Sequence, residues 1–281
     1  MRIANLAGRA ALITETGAVD VATASGGRFG PEPHALYAQW AQFRAWAATA
    51  DPSAAQPYDP ALLGAPTPTP VQVLAIGLNY REHAAESGLA VPEGMPPVFT
   101  KFVSSLSGPY TTVTLPPGKV DWEVELAVVI GTTATRVAEA DAWDHIAGFT
   151  IAQDISERAL QLSGPAPQFS LGKSHRGFCP LGPWLVTLDE IADPSALRLT
   201  STVDGETVQD GNTRDMIFSV PTLIARLSEV VTLYPGDLIL SGTPSGVGMG
   251  RNPQRFLAPG ETLVSTIEGI GTLEQRFVAQ A

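Results

Sequence analysis

Runs of apolar residues, broken by glycine, proline and polar turns, recur along the whole chain. Most of these runs have the length of about four to eight residues that is typical of β-strands. Residues 1–30 alternate such runs with glycine-containing turns, which predicts a small β-meander. The pattern recurs in the C-terminal third, where Asp204 and Gly205 predict the turn of a β-hairpin. The chain is therefore predicted to be mainly β with short helices.

Helical periodicity is confined to short segments. Between Pro33 and Ala50, the apolar residues Leu36, Trp40 and Phe43 fall at the spacing of one helical face. Three further helices are predicted from periodicity and from capping residues. They cover residues 81–87, residues 157–162 with Ser156 as N-cap, and Val220–Val230 with Ser219 as N-cap.

A stretch rich in proline, alanine and threonine divides the chain. It covers residues 51–70, and its composition favours an extended, semi-rigid connection. We place a domain boundary here. Residues 1–70 are predicted to form a small N-terminal α+β accessory domain with its linker, and residues 71–281 a larger domain.

Composition and charge narrow the range of functions. The chain carries 28 acidic and 17 basic residues, a net charge of −11, and no cluster of lysine or arginine stands out. This balance argues against nucleic acid and against an anionic membrane as partners, so a small molecule or a metal ion is expected. The single cysteine, Cys179, excludes an internal disulfide. No signal-peptide apolar region and no membrane span is visible in the pattern, which predicts a cytoplasmic protein.

One predicted strand, residues 121–131, combines an apolar run with two carboxylates. Because side chains alternate along a strand, Glu123 and Glu125 point to the same face. Burying two ionised carboxylates costs several kcal/mol unless a cation compensates them, and a hard divalent cation is the simplest compensation. A solvated edge strand whose carboxylates face water is the alternative.

Two other sites carry candidate chemistry. Asp154 follows a predicted strand and precedes a predicted helix, where it could supply a third oxygen ligand or serve as an ordinary turn aspartate. His83 and Glu86 are three residues apart on a predicted helix, so they share one face. A carboxylate beside an imidazole suits a general base for water, although such pairs are also common as surface salt bridges.

Two glycine motifs resemble nucleotide-binding sequences but lack their context. Gly172, Lys173 and Ser174 look like the end of a phosphate-binding loop, yet Pro167 stands where the first glycine should be. Residues 246–250 are rich in glycine, but Pro253 interrupts any following helix. The second motif is therefore predicted to form a turn-forming loop.

Taken together and in this order, the motifs resemble the fumarylacetoacetate hydrolase family over roughly residues 73–275. The resemblance implies a mixed β-roll that binds Mg²⁺ or Mn²⁺ through Glu123, Glu125 and Asp154. It implies an active-site role for Lys173, and it places His83 and Glu86 as a dyad on a short lid helix. Gln161 and Thr243 match positions that contact substrate. The matching stretches are residues 77–86, 121–131, 148–154, 172–174, 180–183 and 235–248.

The resemblance also implies a class of reaction and a homodimer. The first hypothesis is a metal-dependent hydrolase that cleaves a C–C bond in an acylpyruvate or a related 2,4-dioxo acid through a metal-stabilised enolate. A lyase that decarboxylates oxaloacetate-like acids, a hydratase or isomerase of an unsaturated 2-oxo acid, and a non-catalytic binder are the alternatives.

Three residues depart from the family pattern near the expected pocket. His175 and Arg176 stand where the family commonly shows an aromatic residue and an aspartate, and Ala159 stands where it often carries an aspartate. Arg176 could recognise a second carboxylate of the substrate or lie on the surface.

Overall fold

The computed structural model describes residues 1–280, within which the chain forms eighteen strands and six short α-helices. The strands are β1 Arg2–Leu6, β2 Arg9–Thr14, β3 Gly17–Asp20, β4 Leu63–Gly64, β5 Val73–Ile76, β6 Val98–Thr100, β7 Leu106–Ser107, β8 Tyr110–Leu115, β9 Val120–Asp121, β10 Val124–Ile130, β11 Ile146–Gln153, β12 Ser156–Glu157, β13 Cys179–Val186, β14 Arg198–Val203, β15 Glu206–Asn212, β16 Leu238–Leu240, β17 Thr262–Ile267 and β18 Gly271–Ala279. The helices are α1 Val21–Ala24, α2 Trp40–Ala47, α3 Arg81–Glu86, α4 Arg158–Gln161, α5 Phe169–Gly172 and α6 Val220–Val230. Turns of 3₁₀-helix cover Pro33–Gln39, Pro52–Ala54, Pro60–Leu62, Val103–Ser105, Glu139–His145, Leu188–Glu190, Thr213–Asp215 and Gly248–Gly250.

Two mixed sheets dominate the architecture. In the larger one the strands follow the order β3-β2-β1-β13-β11-β10-β16-β5-β6, with β4 alongside β1 and β7 alongside β13. The smaller one has the order β15-β14-β17-β18-β8. Most neighbours are antiparallel, whereas β5 with β16, β7 with β13 and β8 with β18 are parallel. The predicted mainly β, mixed fold with few short helices is confirmed.

Strand β10 lies at the centre of the larger sheet, and every one of its residues is buried. Its alternate side chains enter two different cores, as the two-residue period of a strand requires. Leu126 and Val128 pack in the cluster that contains Leu223 of α6. Ala127 and Val129 pack in the second cluster, which includes aromatic residues of the N-terminal region. Glu125 shares the parity of Ala127 and Val129, so it points toward that second side.

The N-terminal residues extend the larger sheet. The predicted meander is present as β1 to β3, and β1 pairs with β13. The predicted helix is divided into a 3₁₀ segment, Pro33–Gln39, followed by α2. The proline-rich segment is packed against the rest of the chain, since the Thr67 hydroxyl donates to the Gly236 carbonyl at 2.8 Å. The boundary near residue 70 stays a prediction, and core contacts are continuous across it.

Of the two predicted N-caps, one is present and one is not. Helix α3 forms as predicted, and the Ser219 side chain caps α6 by accepting from the Thr222 N–H. The prediction of Ser156 as N-cap was wrong, because Glu157 caps α4. Ser156 is held in β12 opposite Asp121, and its hydroxyl contacts Lys173 instead.

The helices of the described chain also bear on the prediction that no segment spans a membrane. Within residues 1–280, the helices are too short and insufficiently apolar to cross a bilayer.

Candidate active site

The register of the central strands brings three carboxylates together. Glu123 immediately precedes β10, Glu125 lies within it, and Asp154 directly follows the neighbouring strand β11. Val124 pairs with Gln153, and the Asp154 N–H donates to the Glu123 carbonyl at 2.9 Å. One oxygen from each carboxylate lies within 4.8 Å of the others, and all three side chains are buried. The alternative of a solvated edge strand does not apply, because β10 has a neighbour on both sides.

Three buried cations surround these carboxylates. The Lys173 ammonium donates to Glu123 Oε2 at 2.6 Å and to Asp154 Oδ2 at 2.7 Å. The Lys101 ammonium donates to the other oxygen of Asp154 at 2.6 Å. The Arg158 guanidinium lies 2.7 Å from Glu123 Oε1 and 2.8 Å from Asp121 Oδ2. The cations therefore fix the orientation of Glu123 and Asp154.

Glu125 has a different environment. Its carboxylate accepts the Gly242 N–H at 2.6 Å, and among residues 1–280 no lysine or arginine forms a salt bridge with it. Burial, then the neighbouring Asp154 and Glu123 carboxylates, raise the pKa of Glu125 well above its usual value. Burial alone would also raise the pKa of Glu123, but Lys173 and Arg158 hold it below its usual range. Burial opposes the charge on Lys173, yet Asp154 and Glu123 raise its pKa.

The donor set fits a hard divalent cation. The floor of the site has four buried carboxylates, Asp121, Glu123, Glu125 and Asp154, against three buried cations, Lys101, Arg158 and Lys173. The excess is one negative charge, and it falls on Glu125, whose carboxylate is the least compensated. Oxygen ligands of this kind are those that Mg²⁺ and Mn²⁺ prefer. A divalent ion beside Glu125 would balance the uncompensated charge that burial makes costly.

His83 and Glu86 form a hydrogen-bonded pair above this floor. His83 Nδ1 lies 2.7 Å from Glu86 Oε1, and the His83 side chain is only 9% exposed. The other carboxylate oxygen of Glu86 accepts the Gly246 N–H at 2.9 Å. An imidazole whose Nδ1 donates to a carboxylate keeps Nε2 as its basic nitrogen. This pair therefore has the geometry of an oriented proton acceptor rather than of a loose surface ion pair.

A cavity of about 490 Å³ joins the pair to the carboxylate floor. His83, Glu86, Glu123, Glu125, Gln161, Lys173 and Thr243 line it, and Asp154 is fully buried beneath them. Apolar side chains form the rest of the wall, among them Ile76, Phe99, Leu162 and Phe169. The cavity suits a small acid with a polar end and an apolar or neutral remainder.

Gln161 and Thr243 lie at this cavity but are partly engaged. Gln161 Oε1 accepts from Arg158 Nη1 at 3.0 Å. The Thr243 hydroxyl donates to the Val124 carbonyl at 2.9 Å and accepts from Gln209 at 2.8 Å. Both side chains are therefore held in fixed orientations before any substrate binds.

The three residues that depart from the family pattern, Ala159, His175 and Arg176, are not among the residues that line the cavity. Arg176 is exposed and is not among the residues that line the cavity, so the structure does not bring it to the other candidates. His175 is half-buried, and its ring centroid lies 4.9 Å from that of Phe178.

Sequence reasoning missed three buried residues of this floor. Arg158 lines the cavity and precedes Gln161 by three residues on α4, a spacing that could have identified it. Asp121 is the first residue of the predicted strand, but the strand pattern alone assigns it no role. Lys101 follows β6 and meets Asp154 only through the tertiary fold, so no local pattern marks it.

Known proteins resemble this chain over most of its length. A family model described as the fumarylacetoacetate hydrolase C-terminal domain matches residues 72–278. The human mitochondrial oxaloacetate tautomerase FAHD2A is 48% identical over 216 residues, which cover 76% of this chain and 68% of that protein. The 2,4-didehydro-3-deoxy-L-rhamnonate hydrolase of Sphingomonas sp. (strain SKA58) is 48% identical over 208 residues, which cover 73% of this chain and 72% of that protein.

A solved structure gives a further match. The crystal structure of maleylpyruvate hydrolase from Sphingobium sp. SYK-6, in complex with manganese(II) ion and pyruvate, is similar over 100% of both chains. Its sequence identity with this chain is 30%, and the TM-score is 0.83.

Proposed function

Because the chain belongs to the fumarylacetoacetate hydrolase family, we propose that it is a divalent-metal-dependent hydrolase that cleaves a C–C bond in an acylpyruvate or a related 2,4-dioxo acid. One observation carries this proposal. The His83–Glu86 pair lines the same cavity as the buried carboxylates Glu123 and Glu125. A base for water and a site for a hard cation thus face one small volume, which is what hydrolytic cleavage next to a carbonyl requires.

In this proposal Glu123, Glu125 and Asp154 hold Mg²⁺ or Mn²⁺. When bound, the ion would act as a Lewis acid that stabilises negative charge on the 2-oxo acid end of the substrate. The related maleylpyruvate hydrolase, whose structure contains manganese(II) and pyruvate, supports this choice of ion and of product. The excess of one buried negative charge at the floor supports it independently.

The chain's own residues would carry the proton transfers. His83, oriented by Glu86, takes a proton from water, and the resulting hydroxide attacks the distal carbonyl carbon. The C–C bond between that carbon and the central methylene breaks, and its electron pair remains on the pyruvate fragment as an enolate. The Lys173 ammonium helps to balance that charge. The proton held by His83 then passes to the methylene carbon, so that pyruvate and a carboxylic acid are released.

Three further residues would hold the substrate. Arg158 offers a guanidinium at the cavity wall for a substrate carboxylate. Gln161 and Thr243, fixed by their own hydrogen bonds, offer polar contacts beside it. The proposed role of Arg176 in binding a second carboxylate has no support from its exposed position.

Tautomerisation is the second candidate function, and a specific finding favours it. The human relative named as an oxaloacetate tautomerase is as similar in sequence as the 2,4-didehydro-3-deoxy-L-rhamnonate hydrolase. The same His83–Glu86 pair could move a proton between the methylene carbon and an oxygen without water attack. Decarboxylation of an oxaloacetate-like acid would use the same enolate chemistry.

A substrate panel distinguishes these reactions. The full chain is incubated with 2,4-dioxo acids and with oxaloacetate in the presence of Mn²⁺ or Mg²⁺, and pyruvate, CO₂ and the enol absorbance are followed separately. We expect pyruvate and a second carboxylic acid in equal amounts from a 2,4-dioxo acid. Loss of enol absorbance without pyruvate would favour the tautomerase, and CO₂ release from oxaloacetate would favour the decarboxylase.

We also propose that the chain acts as a homodimer. Three large apolar side chains near α4 and α5 are exposed, namely Leu171 at 62%, Phe102 at 51% and Leu162 at 48%. Phe102 is tied to this region, because its N–H donates to the Ser174 hydroxyl at 3.0 Å. Apolar side chains exposed together are typical of an interaction surface.

A cytoplasmic location stays a prediction. The name of the human relative includes the word mitochondrial.

A further inference from the structure

The glycine motif at residues 245–250, which we name the glycine loop, binds carboxylates of the protein itself. The Gly246 N–H donates to Glu86 Oε2 at 2.9 Å. The Gly248 and Met249 N–H groups donate to the two oxygens of Asp121 at 2.7 and 3.0 Å. The backbone of one short loop therefore contacts both the lid helix α3 and the floor of the site.

On the floor side the glycine loop is held rigidly. Asp121 is fully buried, and its carboxylate also accepts from Arg158 Nε at 2.9 Å. A Cβ atom added at Gly248 would overlap the Arg255 carbonyl oxygen, so the two backbone segments are in close contact. The Arg255 N–H donates to the Gly248 carbonyl at 3.1 Å. These contacts with the floor thus fix the position of the glycine loop, whose opposite side contacts helix α3.

On the lid side the contacts come from one face of α3. Glu82 and Glu86 are one helical turn apart, and both reach the glycine loop. The Ser245 hydroxyl donates to Glu82 Oε2 at 3.1 Å. A Cβ atom added at Gly250 would lie 2.9 Å from the carboxyl carbon of Glu86, so the bare glycine leaves room for that carboxylate.

Helix α3 has few other attachments. It has six residues, of which only His83 and Ala84 are buried, and the segment that follows exposes Leu89, Val91 and Met95. A helix this short is marginal without tertiary contacts. Its position over the cavity therefore depends strongly on the contacts that Glu82 and Glu86 make.

We propose that the glycine loop latches α3 over the cavity and sets the orientation of Glu86, so that Ser245 and Gly250 are positioning residues for the His83–Glu86 pair. The catalytic consequence rests on the function proposed above, whereas the latch itself is measurable without turnover. Opening the lid requires breaking the Glu86–Gly246 and Glu82–Ser245 hydrogen bonds.

Hydrogen exchange on the full chain loaded with Mn²⁺ tests the latch. The amides of Ala84, Ser87 and Leu89, which donate within and just after α3, report its opening. In Ser245→Ala we expect them to exchange roughly fivefold faster, the factor that corresponds to one lost hydrogen bond of about 1 kcal/mol. In Gly250→Ala the new methyl group displaces the Glu86 carboxylate, and exchange rises by at least as much.

Matched controls separate this effect from the substitution itself. Ser53→Ala removes a similar hydroxyl–carboxylate bond, 2.8 Å long, to the exposed Asp51. Gly30→Ala adds a methyl group where no atom lies within 4 Å. Neither control should change exchange in α3. Unchanged exchange of α3 in both Ser245→Ala and Gly250→Ala would overturn the latch.

Kinetics on the same variants test the positioning role. Gly250→Ala should lower kcat by a factor of at least about ten, because the proton acceptor is misplaced. The Mn²⁺ affinity, measured by calorimetry, should stay within about twofold of the wild-type value. A normal kcat in a variant whose α3 exchanges faster would overturn the positioning role. If the wild-type chain hydrolyses no 2,4-dioxo acid, the proposed function fails, and hydrogen exchange still decides the latch.

Discussion

Single side chains decide the electrostatics of the site. Glu123 and Asp154 each bond to an ammonium group, whereas the Glu125 carboxylate accepts a backbone N–H. The alternation of a strand predicted that Glu123 and Glu125 share a face. It did not predict that Lys101 joins them, because Lys101 lies in a separate segment and meets Asp154 only through the tertiary fold.

At Glu125, we expect a substitution to stabilise the metal-free protein and to abolish metal binding. The raised pKa means that the folded metal-free chain binds a proton more tightly than the unfolded chain does. This stability is fully present below the unfolded carboxyl pKa of about 4.3 and is lost as pH rises toward the folded pKa. Glu125→Gln cannot ionise, so at about pH 8 it should exceed the wild type in stability by about 1–3 kcal/mol.

Thermal unfolding with EDTA or with Mn²⁺, at about pH 5 and about pH 8, measures this effect. Mn²⁺ should raise the Tm of the wild type, more so at the higher pH, and leave Glu125→Gln unchanged. Glu229→Gln, an exposed acid on α6, is the control. A Glu125→Gln variant that still gains stability from Mn²⁺ would contradict the assignment of Glu125 as a ligand.

At His83, removal of the imidazole should separate catalysis from metal binding. His83→Ala deletes the proton acceptor, so hydrolysis should fall by a factor of about 10²–10⁴. The proposed carboxylate ligands are untouched, so calorimetry should give the wild-type Mn²⁺ affinity. His145→Ala, which removes a histidine outside the cavity lining, should have wild-type turnover. Full hydrolysis by His83→Ala would refute the role of the pair.

At the scale of elements, local patterns identified the strands and most helices but not their partners. The meander, the hairpin β14–β15 and the N-cap of α6 follow from short-range chemistry that the sequence displays. The N-cap of α4 was mispredicted because Ser156 pairs with Asp121 in a β-ladder. These two residues are 35 positions apart in sequence, and local capping rules do not consider such distant pairs. The pairing of β1 with β13 was equally invisible to local patterns.

The packing of α2 on the larger sheet gives a prediction at this scale. Phe43 is fully buried in the cluster that contains Ala127 and Val129 of β10. Phe43→Ala should lower the free energy of unfolding by about 3–5 kcal/mol, in a single urea transition for the whole chain. Arg44→Ala, exposed on the same helix, should change it little. A separate early transition for the N-terminal residues would instead support an independent domain there.

The single thiol of the chain, Cys179, is buried so deeply that its reactivity measures unfolding of the whole molecule. Cys179 is fully buried, and burial raises the pKa of its thiol to about 12. Because the thiolate is the reactive form, the native chain should resist a disulfide reagent at about pH 8. Labelling should reach completion in denaturant. Rapid labelling of the native protein would show that β13 opens locally.

The proposed homodimer can be tested through the exposed apolar side chains. A stable dimer buries about 800 Å² on each partner, with an apolar centre. Leu171→Asp places a charge there and should convert the dimer to a monomer, as measured by light scattering after size exclusion. Val230→Asp changes an apolar residue that is 73% exposed and lies on α6, and it should leave the dimer intact. A monomeric wild-type chain would contradict the proposal.

The sequence by itself determined the mainly β character, the shared face of Glu123 and Glu125, and the pairing of His83 with Glu86. These features depend on periods of two and of about 3.6 residues, which act within a few positions of the chain. The tertiary structure alone decided that α3 lies over the carboxylate floor and that the glycine loop binds Glu86. It also decided that Lys101 and Arg158 balance the charges of other carboxylates but not that of Glu125. Those contacts join residues far apart in sequence, so burial and charge balance in the folded chain select them.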